Sequence, residues 1–205
     1  MHNLQRLWLL VALLPLLLAS CATLPPANLD DACMILEHES DWYKATRASE
    51  KRWGIPIHVQ LAIVHQESRF RADARPPKRR LLWVIPWGRA SSAKGYAQAL
   101  DATWEWYKQK TGNRWAERDD FTDAVDFIGW YADISRKKLG ISLNDTENQY
   151  LAYHEGHTGY ARKNYKKKRW LTRVAKKVAV RSHRYQNQLN KCMNRLERGS
   201  RFLSL

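Results

Sequence analysis

Glu67 stands at the end of the apolar run Val59-Gln60-Leu61-Ala62-Ile63-Val64, within the stretch Ile63-Val64-His65-Gln66-Glu67-Ser68-Arg69-Phe70. A carboxyl group placed there, against apolar packing instead of water, has its charged form disfavoured and its pKa raised, as a general acid working near neutral pH requires. The bland alternative is a solvated carboxylate at a helix end. Gln98, three residues after Gly95, offers both a donor and an acceptor, the pairing that holds a sugar acetamido or hydroxyl group. Ala152-Tyr153-His154-Glu155-Gly156-His157 adds a phenol, two imidazoles and a second carboxylate. Its histidines lack the spacing of a zinc-protease helix and Gly156 would interrupt a helix between them, so no metal and no cofactor is expected. His65 reads as a core or rim histidine, and Tyr153, taken alone, reads equally well as a packed tyrosine.

These residues must be positioned by helices, because no segment alternates with period two for long. Asp30 to Arg52 reads as one helix, capped by Asp30-Asp31 and ended by Gly54 with Pro56 beyond. Ile57 to Phe70 is the helix that carries Glu67, Asp101 opens another, Asp123 to Leu139 a further one, and Asn148 to His154 one that ends at Gly156. Gly95 gives the backbone room for a tight turn before Asp101. Arg75-Pro76-Pro77 and the apolar run Leu81 to Trp87 interrupt the helical pattern; a hairpin, a lip over a groove, a membrane-resting flap and simple packing on the body are all open there. The expected fold class is all-α.

The N-terminus joins a short basic region to an apolar run from Leu7 to Leu18, too short to span a bilayer and suited to an export signal. Leu18-Ala19-Ser20-Cys21 resembles the lipobox of bacterial lipoproteins, which implies a signal peptide over 1–20 and lipidation at Cys21. Ala22 in place of Asp implies, by resemblance to enterobacterial sorting, the inner leaflet of the outer membrane. Residues 21–29, with Pro25-Pro26, read as anchor and tether, and 30–205 as a single domain. Cys33 and Cys192 are left over, and in an oxidising periplasm a disulfide is their simplest fate, with two buried thiols as the alternative.

Three separated features fall in a telling order: Glu67-Ser68-Arg69-Phe70, then Gly95-Tyr96-Ala97-Gln98 leading into Ala102-Thr103, then Ala152-Tyr153-His154-Glu155-Gly156. Together they resemble the lytic transglycosylases of the soluble-lytic-transglycosylase (SLT) type, lysozyme-like enzymes that cleave peptidoglycan. Asp126 to Tyr131 resembles that family's helix between the second and third motifs. The resemblance covers roughly residues 50 to 160. It implies a lysozyme-like helical fold, Glu67 as catalytic acid and base, Ser68 beside it, and Gly95, Tyr96, Gln98, Tyr153 and His154 along a glycan groove, with Tyr153 donating a hydrogen bond near Glu67. The chain departs from the family at Tyr96 and Ala97, where Leu and Met are usual, at His154, where Asn is usual, and in a longer segment between Ser68 and Gly95.

A glycosidase that hydrolyses normally needs two carboxylates about 5 to 9 Å apart. Glu155 is the only other acid in the motifs, at a position where the family has no catalytic one. The resemblance implies a reaction without a second carboxylate or water, in which the muramic ring's own 6-hydroxyl closes a 1,6-anhydro product. Two other readings use the same groove: a catalytically weak peptidoglycan-binding scaffold and a lysozyme-like muramidase.

The net charge of +15 is unevenly placed. From Tyr160 to Leu205 there are 15 Lys and Arg and one acid, Glu197, so this tail alone carries +14. Leu171, Val174, Val178, Tyr185, Leu189, Cys192 and Leu196 fall at three-and-four spacing, which predicts a basic helical extension over 160–205 with one apolar stripe. An exported chain is not expected to meet nucleic acid. Anionic wall or lipid is the expected weak electrostatic partner, beside the glycan strands in the groove and the membrane at the lipid anchor.

Overall fold

Prolines and glycines cut the chain into helices whose ends are chemically marked. In a computed structural model that describes residues 25–81 and 85–202, α1 (Ala32–His38) is capped by the Asp31 carboxylate, which accepts from the Cys33 and Met34 amides. α2 (Ser40–Trp53) ends at Gly54, whose φ of 81° lets its amide close back onto the Glu50 carbonyl. α3 (Ile57–Ser68) comes after Pro56, then β1 (Lys78–Leu81), β2 (Ile85–Arg89), α4 (Asp101–Thr111), α5 (Phe121–Leu139) and α6 (Thr146–Ala161). A short 3-10 turn (Asn164–Lys167) leads into the long α7 (Arg169–Phe202). The signal and anchor expectations, Cys21 included, lie outside the described residues.

α3 is the axis of the molecule. Ile57, Val59, Leu61, Ala62, Ile63 and Val64 are all buried, on every side of the helix rather than along one stripe. A helix that is apolar all round has to be enclosed, and α3 is held between α5 and α7. The one amide in that run, Gln60, donates to the Thr46 and Ile55 carbonyls at 3.0 and 2.9 Å, which ties α3 to α2. Each fully buried Leu or Ile here contributes about 1.5 to 3 kcal/mol, so Leu61→Ala would cost about 2 to 5 kcal/mol.

α2 and α5 approach so closely at Gly129 that a Cβ there would lie 2.5 Å from Ser49 Oγ. Asp126, one helical turn earlier, accepts from the Trp53 indole and the Tyr107 hydroxyl, both at 2.7 Å, which joins α2, α4 and α5. α7 presents Leu171, Ala175, Val178, Tyr185, Leu189, Cys192 and Leu196 to the core, and a Cys33–Cys192 disulfide fixes it to α1. The helical class and the disulfide are as expected from the sequence.

Three boundaries differ. Asp30 to Arg52 is two helices, because Glu39 is extended (φ −123°, ψ 95°) and the chain turns there from the surface of α7, along which α1 runs, to that of α5, along which α2 runs. The helix expected to end at Gly156 runs to Ala161 with a kink at that residue (φ 72°, ψ 157°). The basic extension is broken by the 3-10 turn before α7 begins. The segment after Pro76-Pro77 takes the hairpin form, with Lys78 opposite Arg89 and Leu81 opposite Ile85.

Candidate active site

Glu67 lies in the last turn of α3, and the chain bends sharply just beyond it. Arg69 and Phe70 both have left-handed backbones (φ 54° and 59°), a costly conformation for residues with side chains. Burial of the Phe70 ring holds it: the ring is fully enclosed and stacks on Trp42 at 5.7 Å. α3 therefore stops at Ser68, and the Glu67 side chain opens onto a groove of about 500 Å³.

Burial pushes the Glu67 carboxyl up to about 7, against an opposing pull from hydrogen bonding with the Tyr150 hydroxyl. The carbonyl end of α3 acts in the same direction as burial, since negative charge is disfavoured at a helix C-terminus. The carboxyl is thus protonated in part at neutral pH and can both give and take a proton. Burial and the neighbouring Glu67 charge raise the Tyr150 and Tyr153 phenols, so both remain donors.

The second motif is a fastener for this site. Gly95 has φ 75°, and a Cβ there would fall 1.8 Å from the Arg118 carbonyl oxygen, so only glycine fits. Its amide donates to the Ala74 carbonyl at 2.9 Å. Gln98 spends its amide nitrogen on the carbonyls of Ala74 and Gly95, at 2.9 and 2.8 Å. This clamps the turn to the segment leaving Glu67, and the rest of the Gln98 side chain lines the groove.

Of the site residues expected from the sequence, Glu67, Gln98, Tyr153 and His154 meet in one groove, joined by Glu155 and Gly156. Ser68, Gly95 and Tyr96 do not line it. Ser68 is buried and donates to the Val64 carbonyl at 3.2 Å. Tyr96 is 1 % exposed, edge-on to Trp42 and Phe121, so its bulk fills the core and cannot touch a sugar. Tyr153 donates to the Ala97 carbonyl at 2.5 Å instead of to Glu67, and Tyr150 supplies the phenol that Glu67 uses. Sequence reasoning passed over Tyr150; its place three residues before Tyr153, on the same helical face, was the signal. Phe127 and Tyr131 of α5 also line the groove, their rings edge-on to that of Tyr153 at 6.2 and 5.4 Å.

Glu155 is differently held. Burial disfavours its charge, but Lys168 Nζ at 2.7 Å and His154 Nδ1 at 3.4 Å keep its pKa below the usual range. The groove thus contains one carboxyl raised by desolvation and one kept ionised by a lysine, environments that separate an acid from an anion. His157 turns away from His154: its ring stacks on Tyr131 at 4.2 Å and its Nε2 meets Ser135 Oγ at 3.1 Å.

No curated protein and no solved structure matches the chain. Residues 9–192 match the family described as the transglycosylase SLT domain, a span that takes in the Glu67 helix, the clamped turn and the tyrosine helix together. A helical fold, a groove with a desolvated glutamic acid at the end of its central helix, and a match over most of the sequence agree: this chain belongs to the transglycosylase SLT domain family, whose activity is of the peptidoglycan lytic transglycosylase type.

Proposed function

We propose that this protein cleaves the β-1,4 bond between N-acetylmuramic acid and N-acetylglucosamine in peptidoglycan without water, leaving 1,6-anhydro ends. The observation that carries the reading is the place of Glu67, in the last turn of α3 and lining the groove, where burial pushes its carboxyl up to about 7. Protonated Glu67 gives its proton to the bridging oxygen, the bond from that oxygen to the muramic C1 breaks, and the N-acetylglucosamine leaves with a free 4-hydroxyl. Positive charge on C1 is met by the 6-hydroxyl oxygen of the same ring. The Glu67 carboxylate takes that hydroxyl's proton as the C1–O6 bond closes, and the acid is regenerated. The nucleophile is part of the bound sugar, so proximity favours it over solvent.

One observation favours a hydrolytic alternative: ionised Glu155 lines the same groove. Mass spectrometry of sacculi digested by the protein from Ala22 onward, beside Glu67→Gln, separates the two. Anhydromuropeptides that vanish with Glu67→Gln support the transglycosylase. Reducing ends would replace it with a muramidase, and sacculus binding without any product would replace it with a scaffold. We also propose that the chain works in the periplasm, lipidated at Cys21 and held at the outer membrane.

A further inference from the structure

His154, Glu155 and Gly156 line the groove, and the segment that follows them in the chain is not neutral. Arg162, Lys163, Lys166, Lys167, Lys168, Arg169 and Arg173 crowd one short stretch that contains no acid. Lys168 pairs with Glu155; among the described residues, Lys163, Lys166, Lys167 and Arg169 have no acid within ion-pair distance. The stretch is fixed in place. Tyr165 stacks on Tyr160 at 5.1 Å, the Tyr160 hydroxyl donates to Asn148 at 2.8 Å, and Lys163 is in a left-handed turn. Beside it stands Trp170, half exposed, with its ring 5.2 Å from that of His154 and nearly perpendicular to it.

An exposed indole touching a groove-lining residue, with unpaired cations in the segment that leads into it, is a binding surface for something both apolar and anionic. In a peptide-bearing strand the N-acetylated sugars carry no charge for those cations to meet, because the lactyl carboxyl of each muramic unit is taken up in the amide bond to its peptide. The peptide branches on its muramic units do, through their carboxylates. We infer that Trp170, Lys167 and Arg169 continue the groove as a site for the carboxylate-bearing peptide carried by the saccharide beside Glu67, with the indole packed on the peptide's apolar part. This rests on the proposed glycan substrate and adds to it a preference for peptide-bearing over bare strands.

The test uses the Glu67→Gln protein, which cannot consume its ligand, titrated with two probes: soluble glycan strands with their peptides, and the same strands stripped by an amidase and with the lactyl carboxylates that this frees capped as simple amides. Further variants in that background are Lys167→Gln with Arg169→Gln, Trp170→Ala and Trp170→Phe; all three positions are exposed, and circular dichroism checks the fold. The double charge variant should bind peptide-bearing strands about five-fold more weakly, as expected for two exposed charge contacts, and bare strands unchanged. The difference between it and its parent should fade as salt rises from about 50 to about 300 mM. Trp170→Ala should weaken binding to peptide-bearing strands, and Trp170→Phe should restore most of the loss. Unchanged affinity for peptide-bearing strands, or an equal loss on both probes, overturns the inference. If the Glu67→Gln parent binds neither probe, the glycan reading itself fails and this one with it.

Discussion

Glu67→Gln should do more than abolish cleavage: it should stabilise the protein, and increasingly so as pH rises. Glu67 is raised from an ordinary 4.5 to about 7 by burial. A carboxyl with a folded-state pKa above its unfolded value binds more protons when folded. Its contribution is fully present below pH 4.5, declines as pH climbs, and is lost above about 7. At about 1.4 kcal/mol per tenfold, the desolvated charge costs up to about 3 kcal/mol at pH 8 and under about 1 kcal/mol at pH 5. Glutamine keeps the shape and has no charge to desolvate. Urea unfolding of parent and variant should therefore give a stability difference about 2 to 3 kcal/mol larger at pH 8 than at pH 5. Near 200 residues this is about 5 to 10 °C in Tm. The glutamine amide adds an offset of its own, but a pH-independent one, so the reading lies in the slope. A difference that stays constant within about 0.5 kcal/mol across that range would mean that Glu67 is solvated, and the argument for it as a proton donor at neutral pH would fall.

The same protonation governs turnover: kcat/KM on purified strands should decline as pH rises through about 7, and Tyr150→Phe, by removing a hydrogen bond that favours the charged form, should move that decline to higher pH. Gly95→Ala should destabilise by about 3 kcal/mol or more in thermal melts, since its methyl group would overlap the Arg118 carbonyl in a left-handed backbone. Cys33→Ser should lower stability by up to about 5 kcal/mol, the loop-closure value for partners 159 residues apart, and reductant should lower the parent to the same level while leaving the variant unmoved. Cys21→Ser should shift the exported protein from the membrane pellet to the soluble fraction.

What could be read from the sequence was whatever a short stretch determines by itself. An apolar run closed by Glu67 announces an enclosed helix ending in a carboxyl. Gly95 ahead of Asp101 announces a turn, and the stripe from Leu171 to Leu196 announces α7. Relations between distant segments could not be read this way. Nothing near Glu39 signals a break; it exists because α1 and α2 run along different partners. Tyr96 occupies a motif position yet points inward, since the stacked rings of Trp42 and Phe121 take a third aromatic ring edge-on there. Tyr150 carries no motif of its own, and only the meeting of α6 with the end of α3 makes it part of the site. Gly156 bends α6 without ending it, because Tyr160 and Tyr165 hold the next turn against the body.

The junction between α1 and α7 also decides how this protein bears load. The Leu29 carbonyl accepts from the Tyr185 hydroxyl, Asp30 pairs with Arg181 and Arg184, the Ala32 amide donates to Gln188, and Cys33 is bonded to Cys192. Tension applied from the N-terminal side enters the fold at these points and passes across a covalent bond into a helix of 34 residues. α3 packs along that helix, and its His58 Nδ1 meets Ser182 Oγ at 2.8 Å, next to Arg181. Strain entering at this junction would therefore be spread along the longest strut of the fold and shared with the helix that carries Glu67.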